Sequence, residues 1–245
     1  MASAAARYKL LKEAAGNPEL QAQIRKVCST DIYFWFDHFA YTFNPRVQPA
    51  DLPFNLMAFQ REIVKVTVQC IREGEPVLFE KSRDMGLTWI LALVLEWFWE
   101  YEPGSDFLIG SKNQDLVDKK GDRSTIFQKL RYNIALQPKW LFPKHIRGWD
   151  TFLKLVHPVN GNTIVGSTST PDFGRSGRYR AVLMDEMAFH PYGKAAYESA
   201  SHSTNCILMP STPNGKANEF YKLRSHDDVE WIDLEGPEDP LDAAR

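Results

Sequence analysis

The sequence contains no long hydrophobic run. Its longest apolar stretch, from Trp89 to Trp99, is interrupted by Glu96 and is shorter than the roughly 20 apolar residues that a membrane-spanning helix needs. The N-terminus also lacks the apolar segment typical of a secretory signal. The pattern therefore predicts a buried helix over 89–99 and no partner in a membrane.

Cysteine is scarce, and neither sign of charge dominates. Cys28, Cys70 and Cys206 lie far apart without a CxxC spacing, which indicates buried thiols in a reducing compartment and argues against a zinc site. Lysine and arginine number 29 against 31 aspartates and glutamates. No overall positive charge therefore attracts nucleic acid, and any DNA contact must come from a local basic patch.

What the sequence does contain is an alternation of helical and strand patterns from about residue 54 onward. Helices are predicted over 60–72 and 88–99, and a charged helical stretch is predicted to about Ala135. Apolar strands are predicted over 76–80, 106–111, 162–167, 181–185 and 205–211. Such an alternation predicts an α/β fold with a central, mostly parallel sheet flanked by helices. Ligands of these sheets bind at the carboxyl ends of the strands.

Three segments of different character divide the chain. Residues 1–50 read as a small helical N-terminal subdomain that is broken at Gly16. Residues 51–225 hold the alternating core. From 226 to 245 the chain carries eight carboxylates against one arginine, with Gly-Pro and Asp-Pro steps, and this composition predicts an acidic linker.

A loop that follows the first core strand has some features of a phosphate loop of the form G-x-x-x-x-G-K-[ST]. Gly86 takes the place of the second glycine and Thr88 that of the Mg²⁺-binding hydroxyl, but Leu87 replaces the lysine. Lys81 or Arg83 can supply the missing cation from the opposite side of the loop. An ordinary surface turn is the alternative. The predicted nucleotide-binding loop comprises Lys81, Ser82, Arg83, Asp84, Met85, Gly86, Leu87 and Thr88.

Two adjacent carboxylates follow another apolar strand. In a phosphate-loop ATPase the first, here Asp185, holds Mg²⁺, and the second, here Glu186, polarises the attacking water. A strand that ends at a solvated turn is the alternative, although adjacent buried acids are costly without such a role.

The apolar strand predicted over 205–211 ends in polar residues that could sense a γ-phosphate and relay its presence. These are Ser211, Thr212 and Asn214. A plain Pro-Asn-Gly turn also explains them.

The order and separation of KSRDMGLTW (81–89), LMDE (183–186) and STPNG (211–215) resemble the large terminase family of phage DNA-packaging motors. The resemblance spans roughly 55–222 and implies a phosphate-loop NTPase of the ASCE type that uses ATP and Mg²⁺. In some members of that family the loop lysine is moved to the front, as Lys81 is here. Gln60 is similar to the family's adenine-recognising glutamine.

The resemblance also implies a function and partners. It predicts an ATPase domain that drives double-stranded DNA into a procapsid, acting as a homo-oligomeric ring with a portal protein and a small terminase subunit in the host cytoplasm. An arginine offered in trans to the neighbouring γ-phosphate is expected at Arg175 or Arg178, unless these pair with local carboxylates or touch DNA. The family's nuclease domain is not expected in this chain, and the 226–245 linker would lead towards it.

Two basic stretches could grip DNA phosphates, although most charge runs are only solvated helix faces. The first holds Lys112, Lys119, Lys120, Arg123, Lys129 and Arg131, and the second holds Lys139, Lys144, Arg147 and Lys154 with Trp140 and Trp149.

Two rival functions are a superfamily 2 helicase-like translocase and a nucleotide-binding or scaffolding domain without catalysis. The loop lacks G-K-[ST], which disfavours the first, and the presence of Glu186 disfavours the second.

Overall fold

The computed structural model describes residues 3–168, 170–175 and 177–234. Its main feature is one eight-stranded sheet, whose strands are numbered in chain order. From one edge to the other they are β10 (Glu230–Leu234), β3 (Val77–Lys81), β9 (Ile207–Ser211), β8 (Ala181–Met184), β4 (Phe107–Ser111), β7 (Thr163–Thr168), β6 (Lys154–Val156) and β5 (Asp150–Thr151). Neighbours from β10 to β7 run parallel, whereas β6 and β5 are antiparallel.

Helices cover this sheet, and a small separate hairpin pairs β1 (Tyr41–Phe43) with β2 (Asp51–Pro53). The helices are α1 (Ala4–Ala14), α2 (Pro18–Thr30), α3 (Ile32–Phe39), α4 (Ala58–Glu73), α5 (Leu87–Tyr101), α6 (Gln114–Val117), α7 (Ile126–Leu136), α8 (Gly193–Ser201) and α9 (Glu219–Leu223). A 3-10 turn spans Met187–Phe189. Within the described ranges no helix is both long and apolar enough to cross a membrane.

The parallel, buried sheet predicted from the apolar strands is confirmed. Strands β4, β8 and β9 are buried along their whole length, as expected where helices cover both faces of a parallel sheet. Each predicted core strand overlaps an observed one. The continuous helical stretch predicted after residue 111 is wrong, because the chain turns at Gly121, whose φ is 81°, and forms two separate helices, α6 and α7.

Helix α5 is apolar on all sides and lies in the centre of the core, as a helix of that composition must. The N-terminal helices share this core: the indole nitrogen of Trp97 on α5 donates a 2.7 Å hydrogen bond to the carbonyl oxygen of Cys28 on α2. The buried guanidinium of Arg7 on α1 donates to the carbonyl oxygens of Ala40 and Phe36. Residues 1–50 therefore pack onto the core through one continuous hydrophobic cluster.

The stretch predicted as an acidic linker contains a strand. Within 226–245, Glu230–Leu234 forms β10, which pairs in parallel with β3. Its partly buried Ile232 and Leu234 pack against the core on either side of the exposed Asp233, which explains why composition alone missed the strand. Residues 235–245 lie outside the described residues, and the domain boundaries stay a prediction.

Candidate active site

The loop between β3 and α5 has the backbone of an anion-binding turn. Gly86 is the N-cap of α5 with φ of 75°, and no side chain caps the helix there. The first amide groups of α5 are therefore available to an anion, which the helix dipole also favours. Asp84 adopts a positive φ of 63°, a strained conformation of the kind that tight functional turns hold.

The predicted cation and the predicted catalytic carboxylate are in direct contact. Lys81 ends β3, Glu186 follows β8, and only β9 lies between these strands. Lys81 Nζ lies 2.9 Å from Glu186 Oε1, and the lysine side chain is 10% exposed. Glu186 has a φ of 55°, so its backbone is held in a left-handed conformation that aims its carboxylate at Lys81.

The predicted metal ligands also meet. Thr88 Oγ1 donates a 3.2 Å hydrogen bond to Asp185 Oδ1. Burial, and then the charge of Glu186, raise the pKa of Asp185 to about 6, whereas Lys81 and the Thr88 hydrogen bond lower it. A buried carboxylate whose charge is incompletely compensated, beside a hydroxyl, is an oxygen donor set suited to Mg²⁺. The residues present thus fit the metal that the sequence implies.

The segment after β9 is hydrogen-bonded to the acidic pair. Ser211 Oγ and the amide of Thr212 each lie 3.4 Å from Glu186 Oε2. Ser211 Oγ also accepts from the amide of Ala188 at 3.1 Å, and Asn214 Nδ2 donates to the carbonyl oxygen of Ala188 at 3.1 Å. A change at Glu186 would therefore be transmitted directly to the end of β9.

Gln60 is placed beside the loop, and both ends of its amide are occupied. Oε1 accepts from the amide of Met57 at 3.0 Å, and Nε2 donates to the carbonyl oxygen of Met85 at 3.1 Å. Gln60 is 3% exposed, and a Cβ at Gly86 would lie 3.2 Å from Gln60 Nε2. Gln60 therefore fixes the phosphate loop against α4, and a contact with adenine would use the second donor of Nε2 or the second lone pair of Oε1.

An open cleft of about 490 Å³ lies beside the start of the loop. Ser82 and Arg83 are exposed on its wall. The exposed Asp84 forms an ion pair with Arg46 at 3.2 Å. Met85 and Leu87 are buried and anchor the loop to the core. Of the two candidate cations, Lys81 is nearly buried, whereas Arg83 is exposed.

The two candidate arginine fingers lie outside this cluster. Arg175 is exposed and forms an ion pair with Asp172 at 2.5 Å. Arg178 donates to the carbonyl oxygen of His202 near the amino ends of β8 and β9, at the opposite edge of the sheet from Glu186. Within one protomer, then, Arg178 does not belong to the same site.

Sequence analysis missed two residues that belong to the site. Lys129 on α7 is 9% exposed, its Nζ lies 5.6 Å from the centre of the Trp89 ring, and its charge is one of the smaller influences that lower the pKa of Asp185. The sequence offered one indication of this role, because Lys129 lies on the buried face of α7 and lysine is rarely buried without a reason. His190 Nε2 lies 2.7 Å from the carbonyl oxygen of Asp185, and since a carbonyl only accepts, this nitrogen carries the proton.

No family model matches the chain, and no curated protein matches its sequence. Solved structures do match. The large terminase of bacteriophage HK97 superposes with a TM-score of 0.63 at 14% identity, over 86% of this chain and 44% of that one. The large terminase ATPase domain of Thermus phage P74-26 gives a TM-score of 0.52 at 19% identity, over 74% and 81%.

A third match is the large terminase of a thermophilic bacteriophage in complex with ADP, with a TM-score of 0.53 at 12% identity, over 74% of this chain and 45% of that one. The chain thus spans less than half the length of the HK97 protein and of this ADP-bound protein. At such low identities the similarity establishes architecture alone. This chain has the α/β fold of phage large terminase ATPase domains.

Proposed function

We propose that this chain is the ATP-hydrolysing motor domain of a phage large terminase, which moves double-stranded DNA into a procapsid. The observation that carries the proposal is the convergence of Lys81, Thr88, Asp185 and Glu186 at the carboxyl edge of the sheet, through contacts of 2.9 and 3.2 Å. The shared fold supports it, as does the ADP bound by the terminase of the thermophilic bacteriophage.

In this proposal each residue has a distinct task. Lys81, with the amides that open α5, binds the β- and γ-phosphates, and Arg83 adds a second, exposed cation. Thr88 and Asp185 hold Mg²⁺, which when bound would neutralise charge on the phosphates. Glu186 orients and polarises the attacking water.

Binding of a phosphate by Lys81 separates it from Glu186, and this exchange frees the carboxylate for water. Ser211 and Thr212 contact the same carboxylate, and Asn214 holds the adjacent turn. We therefore propose that these three residues couple ATP hydrolysis to motion, because any reorientation of Glu186 alters their hydrogen bonds.

The finer assignments follow from the same proposal. Arg175, or else Arg178, would reach the γ-phosphate of a neighbouring copy, since their described partners are Asp172 and His202 and not Glu186 of the same chain. This arrangement requires a homo-oligomeric ring. Double-stranded DNA, a portal protein and a small terminase subunit are the proposed partners, in the host cytoplasm at the procapsid.

An ATP-dependent displacement of the third strand from a DNA triplex tests the proposal, because a motor that tracks along duplex DNA removes that strand without separating the duplex. We expect displacement by the wild type and none by Glu186→Gln. Separation of the two duplex strands would instead favour a helicase-like translocase. ATP binding with neither hydrolysis nor displacement would leave a nucleotide-binding domain without motor activity.

A further inference from the structure

A second cleft, of about 650 Å³, lies far from the nucleotide site, where α5 ends. Helix α5 begins at the phosphate loop and runs to Tyr101, which lines this cleft. Its 15 residues span about 22 Å at the usual helical rise of 1.5 Å per residue. The cleft and the phosphate loop thus lie at opposite ends of one buried helix.

The cleft is lined by basic side chains from two distant parts of the sequence. Arg25 and Lys26 come from α2, and Lys139 and His145 from the loop after α7. We call these four residues and the space between them the basic cleft. Arg25 donates a 2.7 Å hydrogen bond to the carbonyl oxygen of Trp140, so α2 and the loop are joined across it.

Among the described residues, no carboxylate forms an ion pair with Arg25, Lys26 or Lys139, so the positive charge of these three side chains is not compensated there. The acidic residue of the lining, Glu100, is 8% exposed and accepts a hydrogen bond from Gln137. Burial lowers the pKa of the neighbouring Lys144 most, and the charge of Lys139 lowers it further. A lysine lowers the pKa of another lysine where the two positive charges lie close together.

The other basic stretch, over 112–131, is by contrast largely used inside the fold. Arg131 pairs with Asp118 and Asp150. Lys129 is buried, and the guanidinium of Arg123 lies 4.1 Å from the centre of the Phe43 ring. Only Lys119 and Lys120 of this stretch remain exposed without such a contact among the described residues.

We propose that the basic cleft binds the phosphate backbone of duplex DNA. The cations on α2 and on the loop after α7 suit a polyanion, because each phosphate that they neutralise releases counterions and so favours binding. That the polyanion is duplex DNA rests on the proposed motor function. Since α5 connects the basic cleft to the phosphate loop, the two ligands would bind at the two ends of the same rigid element.

Fluorescence anisotropy with a labelled DNA duplex, over a range of salt concentrations, tests the proposal. The test variant is Lys26→Gln/Lys139→Gln, and the matched control is Lys119→Gln/Lys120→Gln; each removes two positive charges, and all four lysines are exposed. We expect the test variant to raise the DNA Kd about tenfold or more and to reduce the salt slope by nearly two, at about 0.9 per phosphate contact. The control should stay within about threefold.

An unchanged Kd in the test variant, an equal or larger loss in the control, or no duplex binding by the wild type would each overturn the proposal. Polyglutamate is the second probe: equal affinity of the basic cleft for it and for DNA would mark a site for an acidic protein instead. ATP hydrolysis without DNA is measured in parallel and should match the wild type in both variants. An inactive wild type would refute the ATPase proposal independently of the DNA result.

Discussion

Lys81 and Glu186 are 105 residues apart in the sequence, yet their side chains form a 2.9 Å ion pair at the carboxyl edge of the sheet. In the proposed mechanism these are the cation that binds the phosphates and the carboxylate that polarises the attacking water. Their attraction holds both in place without ligand, and a phosphate that competes for Lys81 releases Glu186. Nucleotide binding and activation of the carboxylate are therefore expected to be one event.

Lys81 and Arg83 should contribute unequally to catalysis. Lys81 is nearly buried, so its charge acts in a poorly screened environment, whereas Arg83 is exposed to solvent. Lys81→Ala should lower kcat/KM for ATP by about 100-fold or more, the scale of a lost transition-state contact, and Arg83→Ala by less than about tenfold. Steady-state hydrolysis measures both, and a larger loss for Arg83→Ala would identify the exposed arginine as the phosphate-binding cation.

Gln60 should act mainly on the phosphate loop. Both ends of its amide already bind backbone groups, so Gln60→Ala is expected to weaken ATP and GTP binding by similar factors. Equilibrium titration with fluorescent ATP and GTP analogues measures the two affinities. A loss confined to ATP would show instead that Gln60 contacts adenine directly.

A trans-acting arginine should be detectable by mixing two inactive proteins. Glu186→Gln and Arg175→Ala proteins are each expected to hydrolyse ATP poorly, but in mixed rings some sites combine an intact Glu186 with an intact Arg175 from the neighbour. Hydrolysis should therefore rise above the sum of the separate proteins. The same mixture with Arg178→Ala tests the second candidate.

The control is Lys194→Ala, which removes an exposed cation that forms an ion pair with Glu198. This variant should hydrolyse ATP without being mixed with a second protein. Recovery with neither arginine variant would contradict a finger in this loop.

The buried carboxyl pair on α5 should make stability depend on pH. Burial raises the pKa of both Glu96 and Glu100. Above the ordinary pKa of a glutamate, the unfolded chain has therefore lost a proton that the folded protein still retains. The stability that this proton contributes is full below that ordinary pKa and is lost as pH rises towards the folded value, about 8 for Glu100.

Glu100→Gln removes that dependence while keeping an acceptor for Gln137. We expect its free energy of unfolding, relative to wild type, to increase between pH 5 and pH 8 by roughly 3 kcal/mol. Urea denaturation at the two pH values measures the change, with Glu13→Gln on the exposed face of α1 as the control. A difference that does not vary with pH would mean that Glu100 is ionised in the folded protein.

Patterns local in the sequence predicted most of the sheet. Fully buried strands such as β4 and β9 consist mainly of consecutive apolar residues, and the polar residues after them mark the ligand edge. Strand β10 could not be predicted, because it lies at the sheet edge and Asp233 alternates with Ile232 and Leu234 in an acidic segment. Its position depends on pairing with β3, a contact that only the folded chain makes.

The site was predictable by residue type but not by contact. Motifs placed Lys81, Asp185 and Glu186 at one edge, yet nothing in them specified that Lys81 would pair with Glu186. Lys129 lies outside every motif, and only the packing of α7 against α5 brings it near Asp185. Arg178 precedes β8 and therefore lies at the edge opposite Glu186, and its predicted role in trans on a neighbouring copy stays a prediction.

The central claim is that Glu186 activates water for ATP hydrolysis, and Glu186→Gln tests it most directly. Wild-type and variant proteins are compared for steady-state hydrolysis and for equilibrium binding of ATP, across a range of protein concentrations. Turnover by Glu186→Gln is expected to fall by about 100-fold or more, a typical effect of losing general-base catalysis. ATP should bind as tightly as to wild type or more tightly, since Lys81 is released from a charged partner. Undiminished turnover by Glu186→Gln would contradict the account.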